Sequence, residues 1–291
     1  MKNVEKDVEK LLKEIVNCPN VKCCLENKNY QCACSEIINS QGKDLNNFQV
    51  PEPWNGNLSK APILFIGSNP SYNEKEEYPT KSSVESGEID IQDFFMNRFN
   101  GKWVSNIEKK GFYTLLKNKE YSKSRVRYWS YVKETAKKLL GKKEKEEFNV
   151  EDMNKYCVLT EIVHCKSPKQ KGVKETTVEE CAKKYLEGIL GSSKAKVVVC
   201  FGKIANKKVK EVVGYLSVKI EKIGRMAIKT VKKELNIPDD KKIHIVNNNN
   251  IRYYIFLPHP NAWGKKRTID KQLSCNDLEK ITTFLKENKC Y

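Results

Sequence analysis

Two polar side chains stand where apolar runs stop, in parts of the chain nearly two hundred residues apart. Ala61 to Gly67 (A-P-I-L-F-I-G) reads as a buried strand that breaks into Ser68-Asn69-Pro70-Ser71, and Tyr253 to Leu257 (Y-Y-I-F-L) reads as another that breaks into Pro258-His259-Pro260-Asn261. Each run places an amide or an imidazole at a strand end, with a proline stiffening the turn. In an open parallel sheet, ligands bind in the crevice beyond the carboxyl ends of the strands, so Asn69 and His259 can face one substrate. Asn is not a strong base; it positions a reacting group and does not deprotonate it.

The cysteines suggest a second kind of chemistry. The chain has eleven, and in a reducing compartment thiols serve as ligands or buried apolar groups, not as a disulfide framework. Five fall early, at Cys18, Cys23, Cys24, Cys32 and Cys34. Cys165 and Cys181 form a later pair, while Cys157 and Cys200 sit inside apolar strand runs and read as core. Four thiolates would serve a four-iron four-sulfur cluster or a zinc ion, and thiols without a metal are the remaining reading.

The elements that must position these groups follow from periodicity. Val4, Val8, Leu11, Leu12, Ile15 and Val16 recur at helical spacing between charged residues. The cysteine arm and the polar stretch from Asn39 to Asn57 then lead into the first strand, with Asn55-Gly56 as a turn. Residues 72–122 read as irregular, with a short helix from Ile91 to Phe99. A helix follows from Arg125 to Leu140, then strands from Cys157 to Val163, Lys196 to Phe201 and Tyr253 to Leu257. Thr177 and Glu180 read as the capping box of a helix carrying Cys181, Tyr185, Leu186 and Ile189. The lysine-rich segment from Lys207 to Lys242 reads as a solvated helix. A last helix begins near Ser274, burying Leu278, Ile281, Phe284 and Leu285. Strands alternating with helices predict an α/β fold, a single domain whose central four-stranded parallel sheet is flanked by helices. The boundaries drawn are an N-terminal helix and cysteine-rich arm over residues 1–44 and an α/β core over residues 45–291.

With 291 residues the chain can bury one sizeable core. Lys plus Arg exceed Asp plus Glu by 17 and the isoelectric point is about 9.2, which favours a polyanionic partner, since each neutralised phosphate releases counterions. Met1 to Val16 is charged throughout and lacks the apolar centre of a secretory signal, and no apolar run reaches membrane-spanning length. The sequence reading is thus a soluble, monomeric protein of the cytoplasm.

In this order the motifs resemble those of the uracil-DNA glycosylase superfamily, whose first motif is of the type G-x-N-P or G-x-x-P and whose last is H-P-S or similar. Here they read Gly67-Ser68-Asn69-Pro70 and His259-Pro260-Asn261. The stretch Leu159-Thr160-Glu161-Ile162-Val163-His164-Cys165-Lys166-Ser167-Pro168, the helix with Cys181 and the strand ending at Gly202 are similar to the centre of the superfamily's iron-sulfur branch. The resemblance spans roughly residues 60–265 and implies a monofunctional DNA glycosylase, which flips a base out of DNA and hydrolyses its N-glycosidic bond. By resemblance, Asn69 holds the attacking water and His259 donates to the 2-keto oxygen of the leaving base, while Gly67, Ser68, Tyr78 and Asn261 border the base. Trp263 would wedge into the duplex, with Lys265, Lys266 and Arg267 on phosphates. A 4Fe-4S cluster is implied on Cys165, Cys181 and two arm cysteines, taken as Cys18 and Cys24, although the usual C-x-x-C of the first pair is missing; zinc is the alternative. The main departure is Glu161, where the family carries Asn. A carboxylate accepts from the 4-amino group of cytosine and has no donor for the 4-keto group of uracil, which points to a modified cytosine-type base. The alternatives are a uracil glycosylase with another base reader and a catalytically inactive nucleic-acid-binding homologue.

Overall fold

A computed structural model describes residues 2–27, 29–105, 111–221, 243–247, 251–260 and 268–290. The chain opens with α1 (Lys2–Val16), α2 (Pro19–Glu26) and α3 (Ser35–Asn39). Val8, Leu11, Leu12, Ile15 and Val16 of α1 are buried, so the helical stripe read from sequence packs on the protein as its period requires. The first core strand is β1 (Ile63–Gly67), buried at every position. Residues 72–122 are more ordered than their polar composition suggests. They contain α4 (Lys81–Glu85), α5 (Ile91–Met96) and a small antiparallel pair, β2 (Val104–Ser105) with β3 (Tyr113–Thr114). Phe94, Phe95, Phe99 and Trp103 anchor this region by burying their rings against one another and against Trp129.

Next come α6 (Arg127–Leu139), α7 (Val150–Tyr156) and β4 (Cys157–Glu161). β4 ends two residues before the expected Val163, although the amides of Ile162 and Val163 still donate to the carbonyls of Gly67 and Ser68 at 3.0 Å. A long helical segment follows as α8 (Glu175–Cys181), a π turn (Ala182–Leu186) and α9 (Glu187–Ser192). The expected Thr177–Glu180 capping box does not form. The helix starts earlier, with Lys174 at its N-cap, and the Thr177 hydroxyl instead donates to the carbonyls of Ala33 (2.6 Å) and Gly172 (3.0 Å). Thr177 thereby ties the cysteine arm to the core. The chain continues with β5 (Val197–Phe201), α10 (Gly202–Glu221), β6 (Ile243–Asn247), β7 (Ile251–Leu257), α11 (Ile269–Gln272) and α12 (Cys275–Glu287). Ser274 caps α12 in the box it forms with Asp277.

The sheet order is β4-β1-β5-β7-β6. The first four strands are parallel, and β6 adds an antiparallel edge beside β7. β6 lies within a short lysine- and asparagine-flanked segment whose few apolar residues give little period to read, so the sequence suggested four strands only. Of the expected Lys207–Lys242 helix, α10 covers the part up to Glu221, and residues 222–242 lie outside the described residues. One contiguous apolar core runs from Val8 to Leu285, and Cys157 and Cys200 are fully buried in it. β1 is flanked by β4 on one side and β5 on the other; the chain leaves β1 towards β4 and leaves β5 in the opposite direction, towards β7 and β6. That is a topological switch point, where a crevice opens beyond the strand ends.

Candidate active site

The register of the sheet brings the chemically interesting residues together. Gly67 pairs with Glu161, and Phe201 pairs with Leu257, so the segments after β1, β4, β5 and β7 emerge at one edge. A cavity of about 620 Å³ opens there, and Gly67, Ser68, Asn69, Glu161, Lys166 and His259 all contribute to its wall.

Gly67 is required by close approach. A β-carbon at this position would run into the Glu161 carboxyl group, so the missing side chain is what lets a carboxylate lie across the end of β1. Asn69 is held at both ends of its amide: Nδ2 donates to the carbonyl of Cys165 at 2.5 Å, and Oδ1 accepts from Ser167 Oγ at 2.8 Å. Oδ1 keeps a second lone pair and can hold a water or hydroxyl in a fixed direction. Glu161 is half-buried at the cavity wall. Burial, and then the charge of Glu52, push the Glu161 carboxyl well above the usual carboxylate range, against the smaller effect of the Asn69 N–H. His259 is half-buried, and burial lowers its imidazole, favouring the neutral ring with one N–H to donate. Its ring packs on Gly202 (φ +86°), where a β-carbon would come within 3.3 Å of it.

An ionic network supports the cavity wall. Lys166, 3 % exposed, lies 2.8 Å from Glu76 and 3.9 Å from Glu52, and Glu76 also pairs with the buried Arg98. Tyr78, expected to border the base, instead belongs to this layer and is not among the residues lining the cavity. It is buried, its hydroxyl is 3.3 Å from Glu52, Lys166 Nζ covers its ring at 3.6 Å, and Phe94 and Phe95 meet it at their edges. Tyr128, packed edge-on against Phe201, and Trp129 do line the cavity. The Tyr128 hydroxyl is buried without a partner among the described residues, and burial with the charges of Glu161 and Glu52 raises its pKa well above the ordinary phenol range. Tyr128 stands in the first turn of α6 (Arg127–Leu139), inside the helix expected from Arg125 to Leu140, and no motif marks it. The cations Arg127 and Lys169 border the cavity as well. Both were missed, having no motif around them. The expected base contact Asn261 and the DNA contacts Trp263, Lys265, Lys266 and Arg267 lie outside the described residues.

Behind Asn69 is a second, small cavity lined by Cys18, Cys34, Cys165 and Cys181, together with His164 and Tyr185. Cys34 therefore takes the place expected for Cys24. The shift follows from α2 and α3: Cys24 turns towards Cys32 (Sγ–Sγ 3.4 Å) and Ser35, whereas Cys34 lines the cavity with Cys181, whose thiol, with burial, raises the Cys34 thiol pKa. Burial and the neighbouring thiols raise that of Cys165 too. Burial also lowers His164 to about 4, and its Nδ1 lies 2.7 Å from the Glu52 carbonyl. Among the described residues, no three His, Cys, Asp or Glu groups converge closely enough for a single metal ion. Four thiols, two from the arm and two from the core, thus line one cavity.

Among the described residues, no helix is long and apolar enough to cross a membrane. A model of the Uracil DNA glycosylase superfamily matches residues 53–286, from just before β1 into α12. No curated protein matches the sequence.

Proposed function

The chain belongs to the Uracil DNA glycosylase superfamily, and from that premise we propose that it is a monofunctional DNA glycosylase that reads a cytosine-type base. The observation that carries this reading is a half-buried carboxyl group, Glu161, lying across Gly67 in a cavity shared with Asn69 and His259. A base flipped from the stack enters the cavity, with the ring of Tyr128 as its apolar wall. Glu161 accepts a hydrogen of the 4-amino group, as acidic side chains do when they read cytosine, and in its protonated form it also donates to ring nitrogen 3. Neutral His259 donates to the 2-keto oxygen, where negative charge develops as the base leaves; one such donor is typically worth about 2.7–4 kcal/mol in the transition state. Asn69 Oδ1 aims a water at the sugar carbon as it acquires cationic character, which needs a positioned water and not a strong base. The products are the free base and an abasic site.

Cys18, Cys34, Cys165 and Cys181 would hold a 4Fe-4S cluster, whose chemistry here is a covalent tie between the arm and the loop that carries Asn69's partners. The net charge of +17, with Arg127 and Lys169 at the cavity, supports a DNA partner. The test is a panel of duplexes carrying uracil, a thymine mismatch, cytosine or 5-substituted cytosines, incubated with protein and then treated with alkali. Strand cleavage at a 5-substituted cytosine supports the reading. Cleavage at uracil alone overturns the base assignment, and cleavage nowhere, with DNA still bound, leaves a binding protein that lacks the activity.

A further inference from the structure

One polar atom in the cavity wall has no role in the chemistry above. Asn55 is 2 % exposed and lines the cavity. Its backbone is clamped to β4, with its N–H donating to the Leu159 carbonyl at 2.7 Å and its carbonyl accepting from the Leu159 N–H at 2.9 Å. Bridged antiparallel residues direct their side chains to the same face, and Leu159 shares a face with Glu161, two positions along the strand. Asn55 is therefore the diagonal neighbour of Glu161, at about 7–8 Å between backbones, within reach of a common small ligand.

The orientation of the amide is set by its neighbour. Asn55 Nδ2 donates to Glu52 Oε1 at 2.7 Å, and a carboxylate oxygen can only accept, so the amide cannot be turned over. Glu52 is held in turn by the Tyr78 hydroxyl and Lys166. This leaves Asn55 Oδ1 buried with no partner among the described residues. A buried acceptor of this kind calls for an N–H donor, and the cavity is where one can come from.

We propose that Asn55 is a second base-reading residue, its amide oxygen accepting one hydrogen of an exocyclic amine while Glu161 accepts the other. The inference rests on the glycosylase reading and narrows its substrate class to bases with an unsubstituted amino group at position 4. A keto group at that position meets two acceptors and no donor. A singly alkylated amine satisfies only one of them.

The test measures single-turnover excision by the full chain and by Asn55→Ala. Two duplexes are used: one with the 5-substituted cytosine that the wild type removes fastest, the other with its N4-methyl counterpart. Loss of one hydrogen bond predicts that N4-methylation slows the wild type about tenfold or more, and that Asn55→Ala slows removal of the primary amine by a similar factor. On the N4-methyl duplex, Asn55→Ala should cost little further, because the hydrogen it would accept is already gone. If the variant removes the primary amine at the wild-type rate, or slows both duplexes equally as a damaged pocket would, the assignment of Asn55 is overturned while the glycosylase reading stands. A wild type that removes no cytosine derivative overturns the underlying base assignment, and the role of Asn55 with it.

Discussion

Replacing Glu161 by Gln preserves the length of the side chain and removes its charge, separating two consequences of its position. The first concerns stability. Burial and then Glu52 hold the Glu161 carboxyl above the ordinary range, and Tyr128, raised by the same surroundings, stays neutral through the range that matters. The folded pKa therefore exceeds that of the unfolded chain, about 4.3. Between the two values the folded state binds more protons than the unfolded one, so stability falls as pH rises, by up to about 1.4 kcal/mol per pH unit. Glu161→Gln lacks this slope. Urea unfolding of both proteins from about pH 4 to about pH 8 should show the variant gaining stability over the wild type as pH rises, levelling off once the folded pKa has been passed. The second consequence concerns the base. The variant presents an amide nitrogen to the cavity where the wild type presents a second carboxyl oxygen. That nitrogen donates to a keto group and leaves an amine unpaired. At about 1–3 kcal/mol for a buried unpaired group, relative excision should move from amine to keto bases by about 5- to 150-fold. A pH-independent stability difference would refute the burial argument, and an unchanged base preference would refute the reading role.

Asn69→Ala and His259→Ala should each slow single-turnover excision by about a hundredfold or more while leaving the DNA dissociation constant nearly unchanged by fluorescence anisotropy; normal excision by Asn69→Ala would remove its water-positioning role. Anaerobically purified Cys34→Ala should lose the brown colour and bound iron that the wild type is expected to show, whereas Cys24→Ala should keep both, and the opposite pattern would restore Cys24 as a ligand. Gly202→Ala puts a methyl group within 3.3 Å of the His259 ring at φ +86°; at about 1–3 kcal/mol for such a backbone angle, calorimetry should show a lower melting temperature and excision should slow, and wild-type values for both would contradict the packing described.

What the sequence disclosed depended on how locally each feature is encoded. The four parallel strands were legible because each is a short apolar run, three of them stopping at Gly or Pro, and Asn69 and His259 because they stand just beyond two of those three. Glu161 could be placed by the strand it terminates. Tyr78 was misplaced because its nearness to the first motif in sequence does not determine its depth; Lys166, 88 residues along the chain, fixes that by covering its ring. Asn55 looked like half of an Asn-Gly turn, and nothing local discloses that its amide meets Glu52 or that β4 bridges its backbone. The choice between Cys24 and Cys34 depended on how α2 and α3 fold back together, which five irregularly spaced thiols do not encode.

The tripeptide Cys165-Lys166-Ser167 explains how a thiol cavity outside the substrate cavity bears on Asn69. Successive residues in an extended segment address different surroundings. The Cys165 side chain joins the four-thiol cavity, while its carbonyl accepts from Asn69 Nδ2. The Lys166 side chain enters the buried network with Glu76 and Glu52, and its carbonyl accepts from Gln41 Nε2, a residue of the arm. The Ser167 hydroxyl donates to Asn69 Oδ1, and its N–H donates to the Pro70 carbonyl. Both ends of the Asn69 amide are therefore set by a segment whose own position depends on the thiols and on a buried ion pair. Breaking one side of a buried pair typically costs about 3–5 kcal/mol, so Lys166→Met should disturb the direction in which Asn69 holds its ligand as well as the fold. Cys165→Ala acts on the same segment from the other side. The two changes should therefore be non-additive in excision rate, whereas strictly additive effects would mean that the thiols and the ion pair reach Asn69 by separate routes.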